Sequence, residues 1–138
     1  TWAWACLQAK TGKANVFLYY FDQHPARDPN SPQADHGMPH GVDVPYVFQT
    51  LNREDKRLTD GDFAISETVA TYWTNFAKRG DPNGAGVPAW PEFTNDHPKA
   101  MWFRNTAFAG PVPSEDSLKV LDEYFAWRRT PEGAAWAK

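Results

Sequence analysis

The apolar positions change their period several times along the chain, and each period predicts an element. Thr1 to Ala9 (TWAWACLQA) reads as the end of a helix, closed by Gly12 at the usual C-terminal glycine position. Asn15 to Phe21 (NVFLYYF) is an unbroken apolar, β-branched and aromatic run of strand length. A strand apolar on both faces belongs in a sheet covered on both sides, as in α/β architectures. Asp22 to Asp43 is dense in proline, glycine and other turn formers and predicts a long irregular loop. Pro45 to Leu51 predicts a short helix with proline at its first position. From Thr59 to Arg79 the period becomes helical: Ile65, Val69, Tyr72, Trp73 and Phe76 share one face, and Thr59 with Asp62 resembles a capping box. Gly80 ends that helix, and Asp81-Pro82-Asn83-Gly84 fits a type I turn. Val87 to Phe103 is rich in proline and tryptophan, with one short strand at Ala100 to Phe103. A last helix runs from a Ser114 cap to about Arg129, with Glu115 and Asp116 in its first turn and Arg128 and Arg129 in its last.

No second run matches NVFLYYF, and a buried strand without neighbours would leave a row of unpaired backbone groups. The pattern therefore predicts a piece of a larger body, and the start at Thr1-Trp2-Ala3 without an initiator methionine implies a chain that is either processed or a piece of something longer. Composition sharpens this. Aromatic residues make up 15% of the 138 residues, and there are 12 prolines. Proline-rich connections that carry aromatic anchors suit a layer laid over another body.

Charge and length exclude several classes. The net charge of −3 comes with no concentrated Lys/Arg patch, which argues against nucleic acid or an anionic membrane as partner. No apolar run approaches the roughly 18 residues of a membrane span, and no signal peptide opens the chain. The single cysteine, Cys6, lies in a helical apolar segment and reads as an inert, buried thiol.

Candidate chemistry concentrates around His40, which glycine follows directly on the loop after the strand, where α/β enzymes place working residues. Histidine ordinarily titrates near neutrality and can shuttle a proton, although a solvent-exposed loop histidine is the plainer reading. A complete serine triad within the chain is disfavoured. Ser31, Ser66, Ser114 and Ser117 all lack the Gly-x-Ser-x-Gly turn, and Ser31, Asp35 and His40 are too close in sequence for a scaffold-held geometry. His36 and His40 with Asp35 and Asp43 could be a ligand set, but that spacing faces one way only on a helix, which the surrounding proline and glycine oppose. His24 and His97 each precede a proline and decorate turns, and the Tyr72, Trp73 and Phe76 face reads as core packing.

These residues also resemble a known family. His40-Gly41-Val42-Asp43-Val44-Pro45-Tyr46-Val47-Phe48 is similar to the histidine block of the type-B carboxylesterases, the family of bacterial esterases and cholinesterases. Leu7 to Gly12 and Val16 to Phe21 resemble the helix and strand before that block. Tyr72 to Asn83 and Trp90-Pro91 resemble the C-terminal blocks, in the same order. The resemblance implies an α/β fold: residues 1–138 would be the C-terminal part of a single α/β-hydrolase domain without an internal boundary. That part would hold one buried strand, the histidine loop and helices packed on a sheet lying outside the chain.

The family order of serine, then acid, then histidine implies that this chain holds only the histidine. His40 would be the general acid/base of ester hydrolysis, and Asp43 a supporting carboxylate beside it, with a plain salt-bridge role for Asp43 an equal alternative. The partners would be the N-terminal remainder of the same protein, carrying the serine and the Asp or Glu, and a small-molecule ester. No metal or cofactor is implied. Lacking the nucleophile elbow, the acid and the oxyanion-hole glycines, the chain alone is expected to be inactive. Met38-Pro39 departs from the small or aromatic pair more usual before the histidine. The competing reading is a non-catalytic interaction module on the same fold. A weaker one is a free-standing small protein, which the lone NVFLYYF strand opposes.

Overall fold

A computed structural model describes residues 1–25, 30, 32 and 38–136. The chain runs α1 (Trp2–Thr11), β1 (Tyr19–Phe21), α2 (Val44–Val47), α3 (Asp60–Arg79), β2 (Lys99–Arg104), β3 (Thr106–Pro111), α4 (Glu115–Arg128) and α5 (Pro131–Trp136). The three strands form one sheet in the order β1-β2-β3, with β1 parallel to β2 and β3 antiparallel to it. Tyr19, Tyr20 and Phe21 stand opposite Met101, Trp102 and Phe103.

NVFLYYF therefore has a neighbour within the chain, and the expectation of a strand without one is corrected. β2 contains the short strand expected at Ala100 to Phe103, but its pairing with NVFLYYF went unread because Lys99 and Arg104 bracket it and leave no long apolar run. β3 (TAFAGP) escaped because alanine, glycine and proline give a weak strand signal. The strand is also shorter than predicted. Ladder bonds from Met101 N–H to Leu18 O and from Asp22 N–H to Phe103 O bound the regular part, while upstream Val16 O accepts from Phe93 N–H.

Alternation across this sheet builds two cores. On one face Met101 and Phe103 meet Ile65, Val69 and Tyr72 of α3, with Tyr46 and Trp90 completing a buried cluster. On the other, Leu18 and Ala100 meet Ala5 of α1, Phe93 and Val112, flanked by Trp102 and Leu118. Helices thus cover both faces of a mixed sheet, which is an α/β arrangement. Because Leu18 O and Asp22 N–H face β2, the alternating backbone groups of Tyr19 and Phe21 face the other edge of β1. Among the described residues that edge has no partner strand, and Tyr19 and Tyr20 are 37% and 40% exposed beside it. The strand expected to be buried is an edge strand here.

α3 follows the sequence prediction closely. Its capping box forms, and Gly80 closes it in the left-handed region at φ 70°, a conformation natural to glycine. Other boundaries held for different physical reasons than expected. Gly12 ends α1 with extended backbone, and what the site requires is space, since a Cβ there would lie 2.6 Å from Gln8 O. Ser114 precedes α4 at φ 54° without a side-chain cap, and its carbonyl accepts Leu118 N–H instead.

Asp81 to Gly84 make no type I turn. Asp81 Oδ1 accepts the Asn83 N–H at 2.9 Å, and Asn83 and Trp90 exchange side-chain and backbone hydrogen bonds of 3.0 and 2.6 Å. That reciprocal pair joins two sequence blocks and leaves the turn to Ala85-Gly86. α5, unforeseen, starts at Pro131. Cys6 is half-buried; burial and then the nearby Asp122 charge push its thiol pKa up, which disfavours the reactive thiolate. Among the described residues no helix is long and apolar enough to cross a membrane.

Candidate active site

His40 sits in a tight turn that leads into α2. Val42 N–H bonds Pro39 O and Val44 N–H bonds Gly41 O at 3.2 Å. Gly41 adopts φ 81°, a left-handed conformation that lets the chain reverse directly after the histidine. The His40 side chain is exposed, and among the described residues no hydrogen bond or ion pair engages its ring. Both ring nitrogens are available to groups that approach the turn.

Two attachments hold this turn to the body of the fold. Asp43 carries the first: its Oδ2 accepts the Tyr19 hydroxyl of β1 at 2.8 Å. Its main-chain carbonyl also accepts the N–H groups of Tyr46 and Val47, which starts α2. Burial first, and then the bond to Asp43, push the Tyr19 phenol up to about 12, so it remains a donor throughout the physiological range. The Phe21 and Tyr46 rings meet edge to face at 5.0 Å, packing α2 against the strand.

The second attachment is a buried polar centre. Asp62, 1% exposed, accepts Gln23 Nε2–H at 2.7 Å and the Tyr46 hydroxyl at 2.8 Å, both on Oδ1. Its Oδ2 accepts the backbone N–H and the hydroxyl of Thr59, each at 2.8 Å. Gln23 Oε1 in turn accepts Asn105 N–H from the β2–β3 connection, and Ser66 Oγ–H donates to Tyr46 O. Burial alone would push the Asp62 carboxyl pKa up. The bonds from Gln23, Thr59 and Tyr46 more than offset it and hold the group below the usual carboxylate value. Burial and the Asp62 bond push the Tyr46 phenol well up, so it also stays a donor.

Of the candidates read from sequence, the structure places His40 and Asp43 on one turn, with Asp43 engaged by Tyr19 rather than by the His40 ring. Ser31, Asp35 and His36 lie outside the described residues, and with Asp35 and His36 half of the candidate ligand set. Among the described residues no group of three or more His, Cys, Asp or Glu could hold a metal ion. Ser66 is buried against Tyr46 O, a structural use of its hydroxyl. His24 and His97 are exposed. Sequence reasoning missed Gln23, Tyr46 and the inward role of Asp62. One signal for Asp62 was present: residues 62, 65, 66 and 69 share the spacing of the buried face of α3.

Beside the open edge of β1 lies an apolar hollow of about 200 Å³ lined by Phe17, Tyr19, Trp73, Phe76 and Trp90 among others. Tyr72 and Trp73 belong to the packed face, as expected, whereas Phe76 is 49% exposed at this hollow. The lining offers no nucleophile and no charged group, so the chemistry available in the described residues is that of the His40 turn.

Comparison with known proteins decides the family. Residues 3–118 match the sequence model of the carboxylesterase family. The chain belongs to that family. Human cocaine esterase is 32% identical over 85 residues, which is 61% of this chain and 15% of that protein. Bovine carboxylesterase 4A is 30% identical over 100 residues, covering 70% of this chain and 18% of that protein. A solved thermophilic PNB esterase superposes with a TM-score of 0.69 at 27% identity, over 85% of this chain and 23% of its own. The family resemblance read from the sequence blocks holds, and the fold is that of part of an α/β-hydrolase esterase. This carboxylesterase-family chain spans 15–18% of the length of those two curated relatives.

Proposed function

We propose that this chain supplies the general acid/base histidine, His40, to a serine carboxylic-ester hydrolase. In this reading residues 1–138 are the C-terminal part of one α/β-hydrolase domain, in a longer or nicked polypeptide. The serine nucleophile, the carboxylate that orients the imidazole and the oxyanion-hole donors lie in the remainder. The observation that carries it is an exposed imidazole without a hydrogen-bond or ion-pair partner among the described residues, on a turn anchored to a sheet edge, in a chain of the carboxylesterase family.

The chemistry follows from that placement. His40 takes the proton from the serine hydroxyl as the serine oxygen attacks the ester carbonyl, then returns it to the departing alcohol. It next takes a proton from water, whose oxygen attacks the acyl-enzyme, and gives that proton back to the serine as the carboxylic acid leaves. Asp43 works at one remove: through Tyr19 it holds the turn against β1, which limits how far the imidazole can drift from the serine. The open edge of β1, with the backbone groups of Tyr19 and Phe21 facing outward, is where a strand of the remainder would pair. The hollow at Phe76 would be covered by the same remainder.

Co-expression as two chains tests this. Residues 1–138 alone are expected to show no ester turnover above background, and the remainder alone none either. Together they recover activity, and His40→Ala in the smaller chain removes it. Turnover by residues 1–138 alone, or recovery with the His40→Ala chain, would refute the proposal.

A further inference from the structure

The segment that carries His40 begins where β1 ends at Phe21 and leads into α2 at Val44. Its two ends return to one atom. Gln23, just past β1, and Tyr46, in α2, both donate to Oδ1 of Asp62, at 2.7 and 2.8 Å. All three side chains are at least 94% buried, at 6, 1 and 1% exposure for Gln23, Tyr46 and Asp62. Capping α3 requires only the other oxygen, Oδ2, which accepts from Thr59. Oδ1 is thus given over entirely to the two ends of the histidine segment.

We infer that Asp62 is a positioning residue for His40, joining the two ends of the histidine segment through Gln23 and Tyr46 so that the imidazole meets the serine in a fixed place. The inference rests on the proposal that His40 is the proton carrier. Asp62 touches no reacting atom in this account. A short bond at each end fixes both the separation and the direction of the segment's ends, and a charged acceptor makes those bonds stronger than neutral ones. Gln23 extends the network to the β2–β3 connection through Asn105 N–H at 2.6 Å, and Ser66 holds the Tyr46 carbonyl at 2.7 Å. The end-points are therefore referenced to the sheet and to α3 together. A catalytic group displaced by about 1 Å can lose on the order of 100-fold in rate while substrate binding is little altered.

The test uses the complete enzyme with Tyr46→Phe and Gln23→Met, which keep the buried shapes and remove one donor each, with His40→Ala measured in parallel. Both kcat and KM are read on a p-nitrophenyl ester, normalised to folded protein by tryptophan fluorescence. The expected result is a fall in kcat of about 10- to 100-fold in each variant, with KM within about threefold. Two variants at opposite ends of the segment keep the test alive if one of them does not fold. Wild-type kcat in the folded variants, or a rise in KM alone, while His40→Ala is inactive, overturns the positioning role and leaves the proton-carrier reading standing. Near-normal turnover by His40→Ala overturns the proton-carrier reading, and the positioning role with it.

Discussion

Replacing His40 with alanine in the complete enzyme is expected to lower ester turnover by about 10⁴-fold or more, with little change in stability. The size follows from the role. Without a base, the serine hydroxyl must lose its proton unaided during attack, and the leaving alcohol departs without an acid. Removal of one member of a triad costs nearly as much as removal of all, because the members act as a unit. KM should move far less than kcat, since the imidazole acts mainly in the transition state. Stability should stay within about 0.5 kcal/mol, because the side chain is exposed and makes no hydrogen bond or ion pair among the described residues. Steady-state kinetics on a p-nitrophenyl ester, with a thermal melt of the same sample, separates the two effects. Turnover within tenfold of wild type would remove His40 from the reaction.

Asp62→Ala should produce the largest loss of stability, about 3–5 kcal/mol, read from the denaturant midpoint by tryptophan fluorescence. The substitution removes the acceptor of hydrogen bonds from Gln23, Tyr46 and Thr59. It leaves Gln23 Nε2 and the Tyr46 hydroxyl as buried donors without partners, each costing about 1–3 kcal/mol. Its pH dependence has a definite sign. The folded-state pKa of Asp62 lies below its unfolded value, so the folded state favours the ionised carboxylate. The resulting stabilisation is fully present above the ordinary aspartate pKa of about 4 and is lost as pH falls through the lower folded value. Asp62→Asn should therefore flatten part of the acid limb between about pH 4 and the folded pKa. A loss under about 1 kcal/mol for the alanine variant would mean that water or a neighbour replaces the carboxylate.

The sequence made some of this legible, and the reasons differ residue by residue. α3 was readable because its signals are local: a Thr59–Asp62 box, a stripe through Ile65, Val69 and Tyr72, and Gly80 at a positive φ. His40 and Asp43 were singled out only through the family block, since composition alone left an ordinary loop histidine as the plainer reading, and the structure places both on one turn. What escaped was non-local. The partner of β1 lies some 80 residues later in β2, and a strand bracketed by Lys99 and Arg104 carries no mark of that pairing. Ser114 looked like a cap by type but adopts φ 54° and makes no side-chain cap bond. Asp81 to Gly84 had turn composition, yet Asn83 spends its side chain on Trp90, a contact that the turn prediction could not include. Asp62 was assigned its capping role correctly and incompletely. One oxygen serves the helix, and only the fold brings Gln23 and Tyr46 to the other.

The central claim is that this chain provides the base and another part of the protein provides the nucleophile. A fluorophosphonate probe reads both at once, because the activated serine oxygen attacks phosphorus and expels fluoride, which leaves a stable adduct. The complete enzyme is labelled, digested and mapped by peptide mass spectrometry, with His40→Ala alongside. The account predicts one adduct on a serine outside residues 1–138, formed at least about 10³-fold more slowly when His40 is absent. An adduct on Ser31, Ser66, Ser114 or Ser117, or equal labelling rates with and without His40, would contradict it.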